Sequence, residues 1–511
     1  MNSSPRTKLL LNAIATDCCS LLATLLLAAM LPGAAQASVF QPVTSTANSG
    51  PGSLRAAIDA ANGNTGGTII TFSIGASCGP QVITLITPLP DITRETHILG
   101  YSQPGASPND LEVGNDANIC VILDGSSLSI SDGLTVPASA APGVTISAIG
   151  LGFSGFTHAA INLRGGSDHV VAGIHIGGQV NGVTLDPVGY GIVLGPGVHG
   201  VTIGGDYTNY ALRNIIGEAL NDGIHIDGAG NSTGAAHDNA IIDNYIGIGF
   251  SGSQNTFNRG NGANGIYVAG YNTDIERNYI DFNATHGIRF TGADAHGNFA
   301  SDNFIGYESG RPDAGNGVGV QADNGAASNE IDYNSIFNNI GAGVQILDTS
   351  LDNYVFGNQF FDNGGLGIDL GGDGVSANDN DSLGGALPNR GQNFPLITSA
   401  IGGHQKGTLN GTLTSTPGTY TIEAYTSPAC DASGYGQGEL NAGYMQFTIP
   451  NITVQGQGSI AFQLPLNSNF LPPLTTITAI AIDANGNTSE FSPCVTYVDD
   501  TIFASNFEAF Q

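Results

Sequence analysis

Gly223-Ile224-His225-Ile226, Gly265-Ile266-Tyr267-Val268 and Gly287-Ile288-Arg289-Phe290 are three copies of one phrase. Each has a glycine, a β-branched apolar residue, a variable residue and a second apolar residue. Further copies are Gly191-Ile192-Val193-Leu194, Gly317-Val318-Gly319-Val320, Gly343-Val344-Gln345-Ile346 and Gly367-Ile368-Asp369-Leu370. A second phrase alternates with the first. It is an Asn followed two residues later by Ile or Phe, at Asn214, Asn244, Asn278, Asn303, Asn334 and Asn358. The step from this Asn to the next glycine is nine residues at 214→223, 278→287, 334→343 and 358→367. At 244→265 and 303→317 it is longer by 12 and 5 residues. The excess holds Ser251-Gly252-Ser253 in one case and Arg311-Pro312-Asp313 in the other, which read as loops inserted at a corner.

The unit is roughly 24 residues, inside the range of solenoid repeats. Both phrases alternate with period two, as a strand with one buried face does, and both are too short for a stable helix. Stacked coils place equivalent residues ~4.8 Å apart. The spacing therefore predicts a buried column of Ile192, Ile224, Ile266, Ile288, Val318, Val344 and Ile368. The variable residues Val193, His225, Tyr267, Arg289, Gly319, Gln345 and Asp369 should form an outward column. The recurrent Asn belongs at a turn, where its side chain can bond to backbone or to the next Asn. Leucine-rich repeats and propellers fit less well, for lack of Leu spacing, helices and longer blades.

The predicted fold class is all-β: a right-handed parallel β-helix, or solenoid, with an N-terminal cap and a small immunoglobulin-like β-sandwich after it. Ser53 to Asn62 is a helix candidate with Leu54, Ala57, Ile58 and Ala61 on one face and Ser53 as N-cap, and it is assigned to the cap over the first coil. After Pro395 the repeat stops. Strand patterns follow at 407–413, 420–425, 445–449, 459–464 and 476–482, with a tight-turn signal at Ala484-Asn485-Gly486-Asn487. The expected division is a signal peptide (1–37), cap and first coils (38–142), β-helix (143–398), sandwich (399–498) and tail (499–511).

The start of the chain supports export. Arg6 and Lys8 precede a short apolar core, Leu21 to Leu31, and Ala35-Gln36-Ala37 offers a cleavage site. Cys18 and Cys19 would leave with it. The remaining Cys78, Cys120, Cys430 and Cys494 allow three pairings. The first two and the last two fall in different candidate domains, so Cys78–Cys120 and Cys430–Cys494 are expected. No later segment is long and apolar enough to cross a membrane as a helix, so no transmembrane span is expected in the mature chain. The 511 residues carry a formal charge of −30, with 75 Gly and only 11% charged residues. Such a surface repels nucleic acid and anionic membranes.

Several segments resemble a family of secreted bacterial right-handed β-helix proteins with the pectate-lyase-like superfold and a C-terminal immunoglobulin-like domain. They are Gly52-Ser53-Leu54-Arg55-Ala56-Ala57-Ile58, Leu89-Pro90-Asp91-Ile92-Thr93 with Gly100-Tyr101-Ser102-Gln103-Pro104-Gly105, Asn244-Tyr245-Ile246-Gly247 and Gly367-Ile368-Asp369-Leu370-Gly371-Gly372. The resemblance covers most of residues 45–400. It implies a secreted or cell-surface protein of a Gram-negative bacterium. Pectate lyases, polygalacturonases, polysaccharide epimerases and adhesins share the superfold, so the partner it implies is an extracellular polysaccharide or surface glycan. Asn221-Asp222-Gly223 and His199-Gly200 resemble parts of polygalacturonase signatures, without the partner residues. The terminal Asp500 to Glu508 resembles the end of some secreted proteobacterial proteins.

Chemistry is expected on the outward column. Asp222 or Asp227 could serve as acid and base on a sugar, with His225 and His286 assisting and Arg289 holding charge. Tyr267 and Gln345 could bind substrate, Tyr267 by stacking on a sugar ring. The plain alternative is a solvated polar face, with Arg289 merely paired to a carboxylate. A second cluster, Asp373, Asp379 and Asp381 with Asn378 and Asn380, offers oxygen ligands for Ca²⁺ as a cofactor, though it lacks an EF-hand's full spacing. Two functions follow. One is an adhesin-like glycan-binding protein, for which the sequence speaks slightly more. The other is a polysaccharide lyase or glycoside hydrolase.

Overall fold

The computed structural model describes residues 38–205, 209–229, 234–251, 255–307, 314–379, 387–403, 406–450, 457–467 and 475–499. The expected signal peptide, tail residues 500–511, Asp381 and the inserted residues 252–254 and 311–313 lie outside these. The chain divides into two compact units, one ending at Thr285 and the other beginning at His286.

The N-terminal unit is a right-handed parallel β-helix of three-strand coils. One coil runs Val170–Ala172, His175–Ile176 and Tyr190–Leu194, and the next begins at Thr202–Gly204. Three parallel sheets result. The first runs from Val39–Val43 to Asp274–Glu276, the second from Gln81–Thr84 to Tyr279–Ile280, and the third from Leu134–Val136 to Ile266–Val268. In the third sheet Ile161, Ile192, Ile224 and Ile266 are successive register partners, all fully buried. Parallel strands buried on one side by their own coil need such aliphatic columns, because no second layer covers them. The helix Leu54–Asn62 lies beside the first strands, with Ser53 accepting from Ala56 N at 3.2 Å and Leu54, Ala57, Ile58 and Ala61 buried. Two antiparallel hairpins leave the coils, Gln179–Val180 with Val183–Thr184 and Ile248–Ser251 with Asn255–Asn258. The second is the long insertion between Asn244 and Gly265.

The recurrent Asn sits at the turn between the first and second sheets. Asp243 and Arg277 before it adopt φ of 58° and 57°, and the amide then faces inward along the stack. Asn214 donates to Asn244 at 2.8 Å, and Asn244 to Asn278 at 2.9 Å. These amides are buried and also serve backbone groups, so each rung satisfies the polar atoms its turn would strand.

The C-terminal unit contains the same three-strand coil, ending at Tyr354–Phe356, Gln359–Phe361 and Ile368–Leu370. Three amide ladders run through it: Asn298–Asn329–Asn353, Asn303–Asn334–Asn358 and Asn316–Asn339–Asn363. The buried column is Ile288, Val320, Val344 and Ile368. This corrects the expected register. Val318 pairs with His286 and is only half-buried, while Val320 faces Ile288. The outward residue is accordingly Gln321, not Gly319. Two overlapping copies of Gly-Val, at Gly317-Val318 and Gly319-Val320, allowed either frame; burial of Val320 selects the later one.

A seven-stranded, mostly antiparallel sheet follows and curls into a partly closed sandwich. Leu396–Gly402 pairs with Lys406–Ser415 and that strand with Gly458–Asn467; Gly418–Ser427 pairs with both Leu440–Ile449 and Thr476–Ile482; Val495–Asp499 joins the halves, parallel to the first strand. Leu409, Leu413, Ile422, Phe462 and Leu464 are among its core. The sandwich also covers the open end of the last coil, whose edge N–H groups would otherwise lack partners. Gln437 stands where the next Asn of a ladder would, accepting from Asn363 N and Nδ2 at 3.1 and 3.0 Å. Gly438 O takes Phe360 N at 2.8 Å, Glu490 takes Leu370 N at 3.0 Å, and Glu423 takes Gly357 N at 3.1 Å. The disulfides are Cys78–Cys120 and Cys430–Cys494, with Cα separations of 5.2 and 6.0 Å.

Candidate functional site

In the N-terminal unit the third sheet presents one outward column, Asn162, Val193, His225 and Tyr267, on four successive strands. His225 is the most constrained member. Its Nδ1 lies 2.7 Å from Asp222 Oδ2 and its Nε2 3.2 Å from Asp227 Oδ1. Burial opposes a charge on this ring, but the hydrogen bonds to Asp222 and Asp227, with their negative charges, outweigh it and push the imidazole up to about 9. Both ring nitrogens donate, so the group is an imidazolium at neutral pH. One face stacks on Tyr267 at 4.4 Å and 2°, a cation over an aromatic ring. Asp222 is buried and fixed from behind, its Oδ1 accepting from Asn264 N and Nδ2 at 3.0 and 2.6 Å. Asp227 is the open carboxylate of the trio, its side chain 41% exposed.

A second His–carboxylate pair lies nearby in the same sheet. His158 Nδ1 is 2.6 Å from Asp132 Oδ1, while Ala159 N and Asn162 Nδ2 donate to Asp132 at 3.1 and 2.9 Å. The His158 side chain is 46% exposed, and its Nε2 has no hydrogen-bond partner among the described residues. Asp132 therefore orients a ring whose other nitrogen faces solvent. Tyr190 stands edge-on to both imidazoles, 5.8 Å from His158 and 5.2 Å from His225. Burial, then the charges of Asp222 and Asp227, raise its phenol. Asn162 Oδ1 is buried beneath this surface with no partner among the described residues.

His286, Arg289 and Gln345 belong to the C-terminal unit, where they form a different network. Arg289 Nε and Nη2 reach Asp323 Oδ2 at 3.0 and 2.8 Å, so the cation is paired. Gln321 donates to the same oxygen, and its Oε1 meets His286 Nε2 at 3.0 Å. Gln345 is the register partner of Gln321 and Asp369. Burial raises the Asp369 carboxyl against hydrogen bonds from Gln345 and Gly372. The structure thus distributes the expected residues over two networks: Asp222, His225 and Asp227, with the expected binding residue Tyr267, in one, and His286 and Arg289, with the expected binding residue Gln345 on the adjacent strand, in the other.

Of the expected Ca²⁺ ligands, Asp379 has its backbone tied to Asn393, with Asp379 N to Asn393 Oδ1 at 2.9 Å and Asn393 Nδ2 to Asp379 O at 3.0 Å. Among the described residues no group of three His, Cys, Asp or Glu is placed to hold a metal ion. Among them, too, no helix is long and apolar enough to cross a membrane.

No family model and no curated protein matches the chain. Among solved structures it is similar to three β-helix proteins of known class. A double mutant of the periplasmic alginate epimerase AlgG aligns at 12% identity over 59% of this chain and 63% of that one, TM-score 0.26. The PL6 family polysaccharide lyase Pedsa3628 from Pseudopedobacter saltans aligns at 11% over 69% and 81%, TM-score 0.35. Pectate lyase Pel9A aligns at 13% over 66% and 82%, TM-score 0.23. Likeness at this level speaks to neither substrate nor reaction.

Sequence reasoning missed Asp132, His158 and Tyr190. A signal for Asp132 existed. Asp132-Gly133-Leu134-Thr135-Val136 has the form of Asp222-Gly223-Ile224-His225-Ile226, and both segments are strands of the third sheet. His158 had none, because Ala159-Ala160 replaces the glycine that marks the phrase.

Proposed function

We propose that this is an exported β-helix protein that binds extracellular polysaccharide on the outward face of its N-terminal unit, in the manner of a surface adhesin. The observation that carries this reading is the grouping of two oriented His–carboxylate sets and two tyrosines on successive coils along one sheet. Rungs ~4.8 Å apart repeat along the coil axis, so a polymer lying along it meets a new donor or acceptor at each step. Asp227 supplies an acceptor, His158 Nε2 a donor or acceptor, and Tyr190 and Tyr267 apolar ring edges. The two disulfides support the exported setting, since such bonds persist in oxidising compartments.

A second reading is favoured by one observation. His158, with its Nδ1 on Asp132 and its Nε2 open, has the arrangement of a general base, which His225 cannot be while both its nitrogens are held. In that reading the protein is a polysaccharide lyase or glycoside hydrolase. A glycan array joined to a product assay, with and without Ca²⁺, separates the two. We expect retention of polysaccharide without bond cleavage, weakened by Tyr267→Ala and Asp227→Asn. Cleavage abolished by His158→Ala and Asp132→Asn would establish the second reading instead, and neither retention nor cleavage of any polysaccharide would refute both.

A further inference from the structure

We infer that the cleft between the last coils and the sandwich of the C-terminal unit is a separate saccharide site, shaped and charged for a glycan bearing a protonated amine. The inference rests on the polysaccharide reading above and adds to it a location and a charge class. The cleft has a volume of ≈ 570 Å³, within the range of small-ligand sites. Glu330 and Tyr354, register partners on adjacent strands, line one wall. Thr421 and Gln446, register partners in the sandwich, line the other. Asp352, also in the lining, accepts from Asn487 Nδ2 at 2.9 Å.

The carboxylates here differ in what they lack. Asp483 is consumed by its own turn, accepting from Asn485 N and Asn487 N at 2.8 and 2.9 Å. Asp352 is bonded to Asn487 and lies 3.5 Å from Arg390. The Glu330 carboxylate has no hydrogen-bond or ion-pair partner among the described residues. Partial desolvation raises it, and burial with the charges of Glu423, Glu330 and Asp332 raises the neighbouring Tyr354 phenol. Three carboxylates, Glu330, Asp352 and Asp483, line the cleft, so its charge is negative and favours an incoming cation. A uronate would be repelled. Hydroxyl, amide and one aromatic side chain suit a sugar ring, whereas a hydrocarbon group would leave Thr421 and Gln446 without partners. An amino sugar supplies both the hydroxyls and the charge.

Calorimetry on the full chain tests this with chitosan oligosaccharides, their fully N-acetylated counterparts and uronate oligosaccharides. We expect the amine-bearing oligomers to bind best and uronates worst. Glu330→Gln, which is isosteric and exposed, should weaken amine binding about five-fold and abolish the preference over the acetylated form. Tyr354→Ala should weaken it about ten-fold, with circular dichroism confirming that each variant folds. If glycans bind but show no amine preference, or keep it in Glu330→Gln, the inference is overturned and the polysaccharide reading stands. If no glycan of any charge binds, the reading itself fails and the inference with it.

Discussion

His225 should keep its proton well beyond the pH at which an ordinary imidazole loses it. Its ring donates to Asp222 at 2.7 Å and Asp227 at 3.2 Å, and its side chain is 19% exposed. A free imidazole releases its proton near 6.5, whereas this one should hold it to about 9. That difference corresponds to about 3 kcal/mol favouring the folded state. Because the folded value is raised, the contribution is complete below pH 6.5 and is lost as pH climbs from there through 9. Selective ¹³C labelling of the ten histidines, with His225→Gln to assign the signal, reads the titration directly. Urea unfolding at pH 6 and pH 9.5 reads the linked stability, which should fall in the native chain more than in His225→Gln. Asp222→Asn should return the titration towards 6.5, since it removes the closer, buried carboxylate. Asp227→Asn should do so less, its partner distance being longer and its side chain more exposed. An imidazole that titrates at or below 7 in the unaltered protein would refute the reading of this trio as a locked cation. It would also return His225 to candidacy as a base.

Two further outcomes follow from buried groups elsewhere. Asn334→Leu removes the acceptor for Asn303 N and Nδ2 and the donor to Ala300 O and Asn358 Oδ1, so it should destabilise the C-terminal unit by roughly 2–5 kcal/mol in urea unfolding; Asn334→Asp should be no milder at neutral pH, since it sets a buried carboxylate oxygen against those two oxygens. Glu423 and Glu490, which grip the last coil, are both raised by burial to about 7. The folded state therefore holds extra protons between pH 4.5 and 7, and stability should fall as pH rises through that window. For the fully buried Glu423 this is worth about 3 kcal/mol, and Glu423→Gln should flatten the slope between pH 5 and 8.

The β-helix was legible because its signals are local and repeated. One buried column needs one aliphatic residue per coil, and a turn with a left-handed residue followed by an inward amide needs Asn. Both leave marks at fixed spacing. The same logic explains the one frame error. Gly317-Val318-Gly319-Val320 satisfies the phrase twice, and only the coil's closure decides which valine is inside. The sandwich showed five of its strands, both edge strands among them, but not Leu396–Gly402 or Val495–Asp499, the two short strands at the seam where the halves meet. The role of Gln437 and Glu490 as the end of the stack was invisible for a related reason. Gln437 replaces a ladder rung and Glu490 takes a strand N–H, from segments 74 and 120 residues away.

The candidate surface was only half legible, and the reason lies in how a solenoid builds sites. Residues of one outward column are found by counting along the repeat, and that procedure reaches His225 and Tyr267. A site also uses residues at the coil corners, where the repeat is least regular. Asp132, His158 and Tyr190 sit where strands begin, in coils whose marker glycine is replaced or whose second aspartate is missing. Corner residues escape the steric demands of the interior column, so they are free to vary from coil to coil. That freedom lets one coil orient an imidazole with its Nε2 open while a neighbouring coil locks its imidazole between two carboxylates. A repeat that spells out the scaffold in every turn therefore hides its chemistry in the turns that break the pattern, and departures from the phrase are where side chains with unmet hydrogen bonds, such as Asn162 and His158, come to lie.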